Sequence, residues 1–132
     1  MSVSELKELL SEFEVVASDA VPTVSLDRQR RFYINTSLRR LLGVKPYERL
    51  AIAYNVEERE LAIIRPSIGL DSVIDDELLA SVYTIDKRYY MSARHFAKRY
   101  GYTPAKAPYF FEYKRSISNL AFVFRLNEGR TR

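Results

Sequence analysis

The chain has no cysteine and no tryptophan, one histidine, and only four glycines among its 132 residues. Without cysteine there is neither a disulfide framework nor a thiolate metal ligand, and a single histidine cannot assemble a zinc site or a Ser-His-Asp type of triad. His95 sits between Arg94 and Lys98, and no nucleophile or carboxylate partner is tied to it by spacing, so it reads as a surface residue. The expectation is a protein that is not an enzyme, with no catalytic residues, no metal site and no cofactor. Long apolar runs are also missing: nothing approaches the roughly 18 residues that span a bilayer. No N-terminal basic region leads into an uninterrupted apolar stretch, as a secretory signal would. A cytoplasmic protein with no membrane partner is expected.

What is present is enough apolar and aromatic material, 47% and 13%, to build the core of one ordinary domain or two very small ones. The net charge of +4 conceals an uneven distribution. Residues 1–23 carry one Lys against five acids, and residues 24–45 carry six bases against Asp27 alone. Residues 67–86 hold five acids and no base, whereas residues 87–115 hold eight bases against Glu112. Two basic modules separated by an acidic connector are the asymmetry of a protein whose particular surfaces meet polyanions, or of a small protein kept soluble by its basic side chains.

Residues 1–20 predict a short amphipathic helix, with Leu6, Leu9, Leu10 and Phe13 at helical spacing and Ser4 as N-cap. Its apolar stripe is expected to pack on the body of the protein rather than dock a partner. In residues 21–66, Thr23–Leu26 and Arg31–Ile34 alternate as a strand pair around a basic turn. Asn35 or Thr36 then caps a helical turn whose Leu38, Leu41 and Leu42 share one face, with Arg39 and Arg40 turned away, until Gly43 stops it. Residues 50–56 and 60–65 form a second hairpin. Residues 67–82 read as a solvated connector with a helical turn starting at Asp75. Asp71, Asp75, Asp76 and Glu77 lack the glycine and terminal glutamate of a calcium loop.

The order strand, strand, helix, strand, strand then recurs over residues 83–126. An extended pair surrounds Asp86-Lys87-Arg88, shortened by about two residues relative to the first copy, with a period of roughly 58 residues. Ser92 is expected to cap the second helix, whose apolar face is Ala93, Phe96, Ala97 and Tyr100, and Gly101 to end it. Residues 109–114 and 120–126 give the last hairpin, and residues 127–132 a frayed tail. The fold class is mainly β with short helices (α+β). The many Tyr and Phe residues of the second half are expected in its core rather than as a stacking surface for single-stranded bases.

Asp27, Arg31, Phe32, Tyr33, Ile34, Leu38, Arg39, Leu42 and Gly43 occupy, without a gap, the places of a pattern formed by an Asp, a turn ending in Gly-Arg, two apolar strand residues, Ile-Pro, then Leu-Arg-x-x-Leu-Gly. The stretch thus resembles the SpoVT/AbrB family of swapped-hairpin DNA-binding domains, Arg40 adding a double arginine found in that family. The departures are Arg30 for the usual glycine, Asn35 for the usual proline, and Val24 where a basic residue is known. The resemblance covers about a third of the chain well and the second half more weakly, as in tandem-copy members of the MraZ type.

The resemblance implies a swapped-hairpin β-barrel of two interleaved units, formed either within one chain as a pseudo-dimer or between chains as a homodimer. It implies a bacterial, archaeal or viral source and a DNA-binding transcriptional regulator that contacts double-stranded DNA through Arg28, Arg30 and Arg31 on the turn and Arg39 and Arg40 on the helix. By repeat position Lys87, Arg88, Arg94, Lys98 and Arg99 join them. Guanidinium forks suit phosphates and guanine edges. The alternative is a protein-interaction module on the same fold, antitoxin-like or a viral factor binding a host protein.

Overall fold

Val24 and Leu26 alternate with Ser25, and Phe32 and Ile34 with Arg31 and Tyr33, so each short strand has one wholly buried apolar side and one polar side. This period-two pattern builds β1 (Thr23–Leu26) and β2 (Arg31–Ile34); the other strands are β3 (Arg49–Asn55), β4 (Glu60–Ile64), β5 (Val82–Thr84), β6 (Tyr90–Ser92), β7 (Tyr109–Ser118) and β8 (Ala121–Leu126). Three helices, α1 (Val3–Leu9), α2 (Thr36–Leu42) and α3 (Arg94–Tyr100), and a 3-10 turn at Pro104–Lys106 complete the described elements. The computed structural model describes residues 2–13, 21–65 and 82–129. The acidic connector expected at 67–82, including its helical turn and carboxylate cluster, lies almost wholly outside them.

All eight strands join one antiparallel sheet in the order β5-β3-β4-β8-β7-β1-β2-β6, and its end strands β5 and β6 touch, so the sheet is a nearly closed barrel. Exchanging β1 with β5, β2 with β6, β3 with β7 and β4 with β8 reproduces this ring of neighbours. The hairpins interleave: β1 lies beside β7 and β5 beside β3, while β2 pairs with β6 about Phe32↔Met91 and β4 with β8 about Ala62↔Val123. The two halves therefore supply each other's missing neighbours within one chain. Phe32, Ile34, Leu38, Leu50, Leu61, Ile63, Met91, Phe111 and Phe124 fill the interior.

Helix α2 is anchored by Asn35. Its Oδ1 accepts from the Leu38 and Thr23 N–H groups at 2.9 and 3.1 Å, and its Nδ2 donates to the Val21 carbonyl at 2.9 Å. Gly43 and Gly101 end α2 and α3 at φ 66° and 76°, conformations that a side chain disfavours. Several local expectations differ from what the chain does. Ser2, not Ser4, caps α1, its Oγ accepting from Glu5 N–H at 3.2 Å. Ser92 ends β6 instead of capping α3, whose N-cap is Ala93 with no side-chain bond. Leu41 is exposed while Leu38 and Leu42 are buried, and Arg39 folds inward. Leu6, Leu9, Leu10 and Phe13 are exposed, Phe13 by 70%, so the packing expected of α1 is not met among the described residues.

Glu60 is a buried carboxylate at the start of β4, with Lys114 Nζ at 2.7 Å and Arg115 at 3.7 Å. The Lys114 hydrogen bond holds its acid strength above that of a free glutamate, against the opposing effect of burial. Two of the eight bases counted at 87–115 are thereby engaged by one buried carboxylate.

Candidate nucleic-acid interface

Two turns carry the basic residues, and one aspartate builds each. Asp27 Oδ1 accepts from the N–H groups of Gln29 and Arg31, both at 2.9 Å, and Asp86 Oδ1 from those of Arg88 and Tyr90 at 2.8 and 3.0 Å. The backbone repeats as well. Asp27 N–H donates to Arg31 and Arg30 N–H back to Asp27, as Asp86 and Tyr89 do in the second turn. Arg30 and Tyr89 both take positive φ, 58° and 67°. Arg30 thus keeps, with a side chain, the left-handed conformation for which the resembled pattern uses glycine. The Tyr90 N–H bond, followed by that of Arg88, lowers the Asp86 pKa below the ordinary carboxylate range, so the turn is held by an ionised group.

The two turns have the same length. The shortening expected of the second copy lies instead at the junction of strand and helix, where Ala93 alone does the work of Ile34 and Asn35. Ala93 N–H donates to the Arg30 carbonyl at 2.8 Å, and Ile34 N–H donates to the Tyr89 carbonyl at 3.1 Å. Each turn is therefore clasped to the helix start of the opposite half. One lobe gathers Arg28, Arg30 and Arg31 with α3 and its Arg94, Lys98 and Arg99; the other gathers Lys87 and Arg88 with α2 and its Arg39 and Arg40.

Between the lobes runs the outer surface of the β2–β6 ribbon. Arg31 Nε and Nη2 both reach Asp27 Oδ2 at 2.9 Å, and the Arg31 guanidinium lies over the Tyr90 ring at 4.1 Å. Tyr90 packs on Tyr33 at 4.8 Å, and Arg39 lies over Tyr33 and Tyr89 at 5.2 and 4.0 Å. Arg39 also donates to the Ile34 carbonyl at 2.9 Å and the Tyr33 hydroxyl at 2.5 Å. Cation and ring alternate across the ribbon, each contact contributing about 0.5–2 kcal/mol. Arg31 and Arg39 are half-buried builders of this surface, whereas Arg28, Arg30, Arg40, Lys87, Arg88, Arg94, Lys98 and Arg99 are exposed.

Arg28, Lys98 and Arg99 also line an open groove of ≈ 1190 Å³ together with Arg59 and Lys106. Sequence reasoning did not single out Arg59 or Lys106, although Lys106 was counted in the second basic module. Arg31 and Arg94 meet in a separate depression beside Asp86 and Tyr90. Among the described residues no group of three or more His, Asp or Glu side chains is placed to hold a metal ion. His95 is exposed. No described helix is long and apolar enough to cross a membrane. Comparison with protein-family models, with curated proteins and with solved structures gave no match.

Proposed function

We propose that this chain binds duplex DNA and regulates transcription as a SpoVT/AbrB-like swapped-hairpin protein whose two tandem units, residues 21–66 and 83–126, pair within one chain. The observation that carries the reading is the pair of cross-half clasps, Ala93 to Arg30 and Ile34 to Tyr89, which gather all ten basic residues into two lobes flanking one ribbon. Exposed cations on both lobes suit the regular phosphate array of a duplex, and most are positioning contacts rather than base readers. Arg40 and Arg88 are the sharpest probes, since both are exposed and neither forms an ion pair among the described residues. Arg40→Ala combined with Arg88→Ala weakens duplex binding and flattens the slope of log affinity against log salt by up to about 0.9 per lost phosphate contact. Wild-type affinity with an unchanged slope would remove this lobe from the interface.

A second reading, a protein-interaction module on the same fold, is favoured by the exposed apolar stripe Leu6, Leu9, Leu10 and Phe13 on α1 and just beyond it. Gel shifts with specific and random duplex separate the two: no binding to either near physiological salt supports the protein partner.

A further inference from the structure

The two halves part company where their helices end. In the first half Arg65 pairs with both Glu48 oxygens at 2.9 Å and donates to the Leu42 carbonyl, so the end of α2 is stoppered by a charged plug. The pairing Ala62↔Val123 puts the β3–β4 and β7–β8 hairpins in equivalence, which sets Leu126 in the place of Arg65 and Tyr109 in that of Glu48. The plug is gone. The loop after α3 is also three residues longer between Gly101 and Tyr109 than between Gly43 and Glu48, and it folds as the 3-10 turn Pro104–Lys106. The ≈ 1190 Å³ groove opens here, beside the longer loop.

Its floor is aromatic. Tyr54 and Tyr102 share a hydroxyl–hydroxyl bond of 2.5 Å, Tyr109 stands edge-on to Tyr102 at 4.8 Å, and the Tyr109 hydroxyl is held by the Thr103 backbone at 3.0 and 3.1 Å. Burial, then the Tyr54 bond, pushes the Tyr102 phenol well above its usual range, so that ring carries no charge. The rim is cationic: Lys98, Arg99 and Lys106 form no ion pair among the described residues. Its one acid among the described residues, Glu128, is taken up by Arg59. At ≈ 1190 Å³ the groove is somewhat larger than a small-ligand site of about 300–1,000 Å³, as an open channel for a polymer segment would be.

We propose that this groove holds a short single-stranded nucleic-acid segment, with phosphates on the Lys98–Arg99–Lys106 rim and bases against the tyrosine floor. Rings and cations in one channel are the combination that binds single strands without sequence preference. The site shares Arg28, Lys98 and Arg99 with one lobe, but Lys106 belongs to no lobe, so it separates this proposal from duplex binding.

The full chain is titrated with a short labelled oligothymidylate and with an abasic strand of equal length. The thymidylate binds at least about fivefold more tightly, one stacked base's worth. It shifts the ring resonances of Tyr54, Tyr102 and Tyr109. Lys106→Glu weakens thymidylate binding by about tenfold, the loss of one charge-assisted contact, and leaves duplex affinity at the wild-type value. Lys98→Glu, on an exposed helix position, gives a like loss on the single strand. Equal binding of the abasic strand, the same tyrosine shifts with polyglutamate, or thymidylate binding untouched in both variants overturns the proposal. Failure of duplex binding alone does not bear on it.

Discussion

The first turn-and-helix unit is fastened by polar side chains and the second by rings. Asp27 ties Arg31, and Asn35 caps α2 while satisfying both the Thr23 N–H and the Val21 carbonyl. In the second unit Tyr90 stands where Arg31 does, α3 has no side-chain cap, and Phe96 compensates by packing against Phe32, Tyr54, Tyr100, Tyr102 and Phe111. One backbone geometry is thus reached by two chemistries, which shows that the Asp turn and the glycine stop define the unit while its fastening is exchangeable.

Removing the two fastenings measures the contrast. Phe96→Ala opens a cavity at the meeting point of five rings and is expected to lower unfolding stability in denaturant by about 3–5 kcal/mol. Asn35→Ala deletes the cap and takes the side-chain acceptor away from the buried Thr23 and Leu38 N–H groups, for a loss of about 1–3 kcal/mol. The smallest effect tests the turns themselves. Arg30→Gly relieves a left-handed side-chain residue and is expected to raise the thermal midpoint, by up to about 1 kcal/mol of stability. Tyr89→Gly gives no such gain, because it also removes the ring under Arg39. A matching gain at both positions would mean that the Tyr89 ring contributes nothing beneath Arg39.

Much of the architecture was legible because it rests on local signals. Alternation marked the strands, Gly43 and Gly101 marked the helix ends, and an aspartate preceding each basic turn recurred at a fixed offset. The helix caps were harder, since Ser92 carries a capping side chain but β6 runs through it, continued by the bond from Ala93 to Arg30 on the neighbouring strand pair. The candidate site was legible as composition but not as geometry. Charge and pattern single out Arg31, Arg39 and Arg40, yet Arg31 and Arg39 are drawn inward, by Asp27 and Tyr33 within their own half and by Tyr90 and Tyr89, which strand pairing brings from the other, while Arg40 stays exposed. Arg59 and Lys106 reach the groove only because β4, β8 and the longer loop after α3 converge there, a tertiary placement with no signature in the sequence.

The interleaving of the hairpins also orders events in time. β1 has one neighbour close in sequence, β2, and its other, β7, lies at pairings such as Ser25↔Phe110. β4 likewise waits for β8. During synthesis the first half therefore emerges with all four of its strands lacking a long-range neighbour, and the ring of strands becomes continuous only when the final hairpin arrives. Late closure of this kind raises the mean sequence separation of contacts and slows folding relative to a barrel of consecutive hairpins. Until then the open edges of β1 and β4 are the surfaces on which two nascent chains would pair with each other.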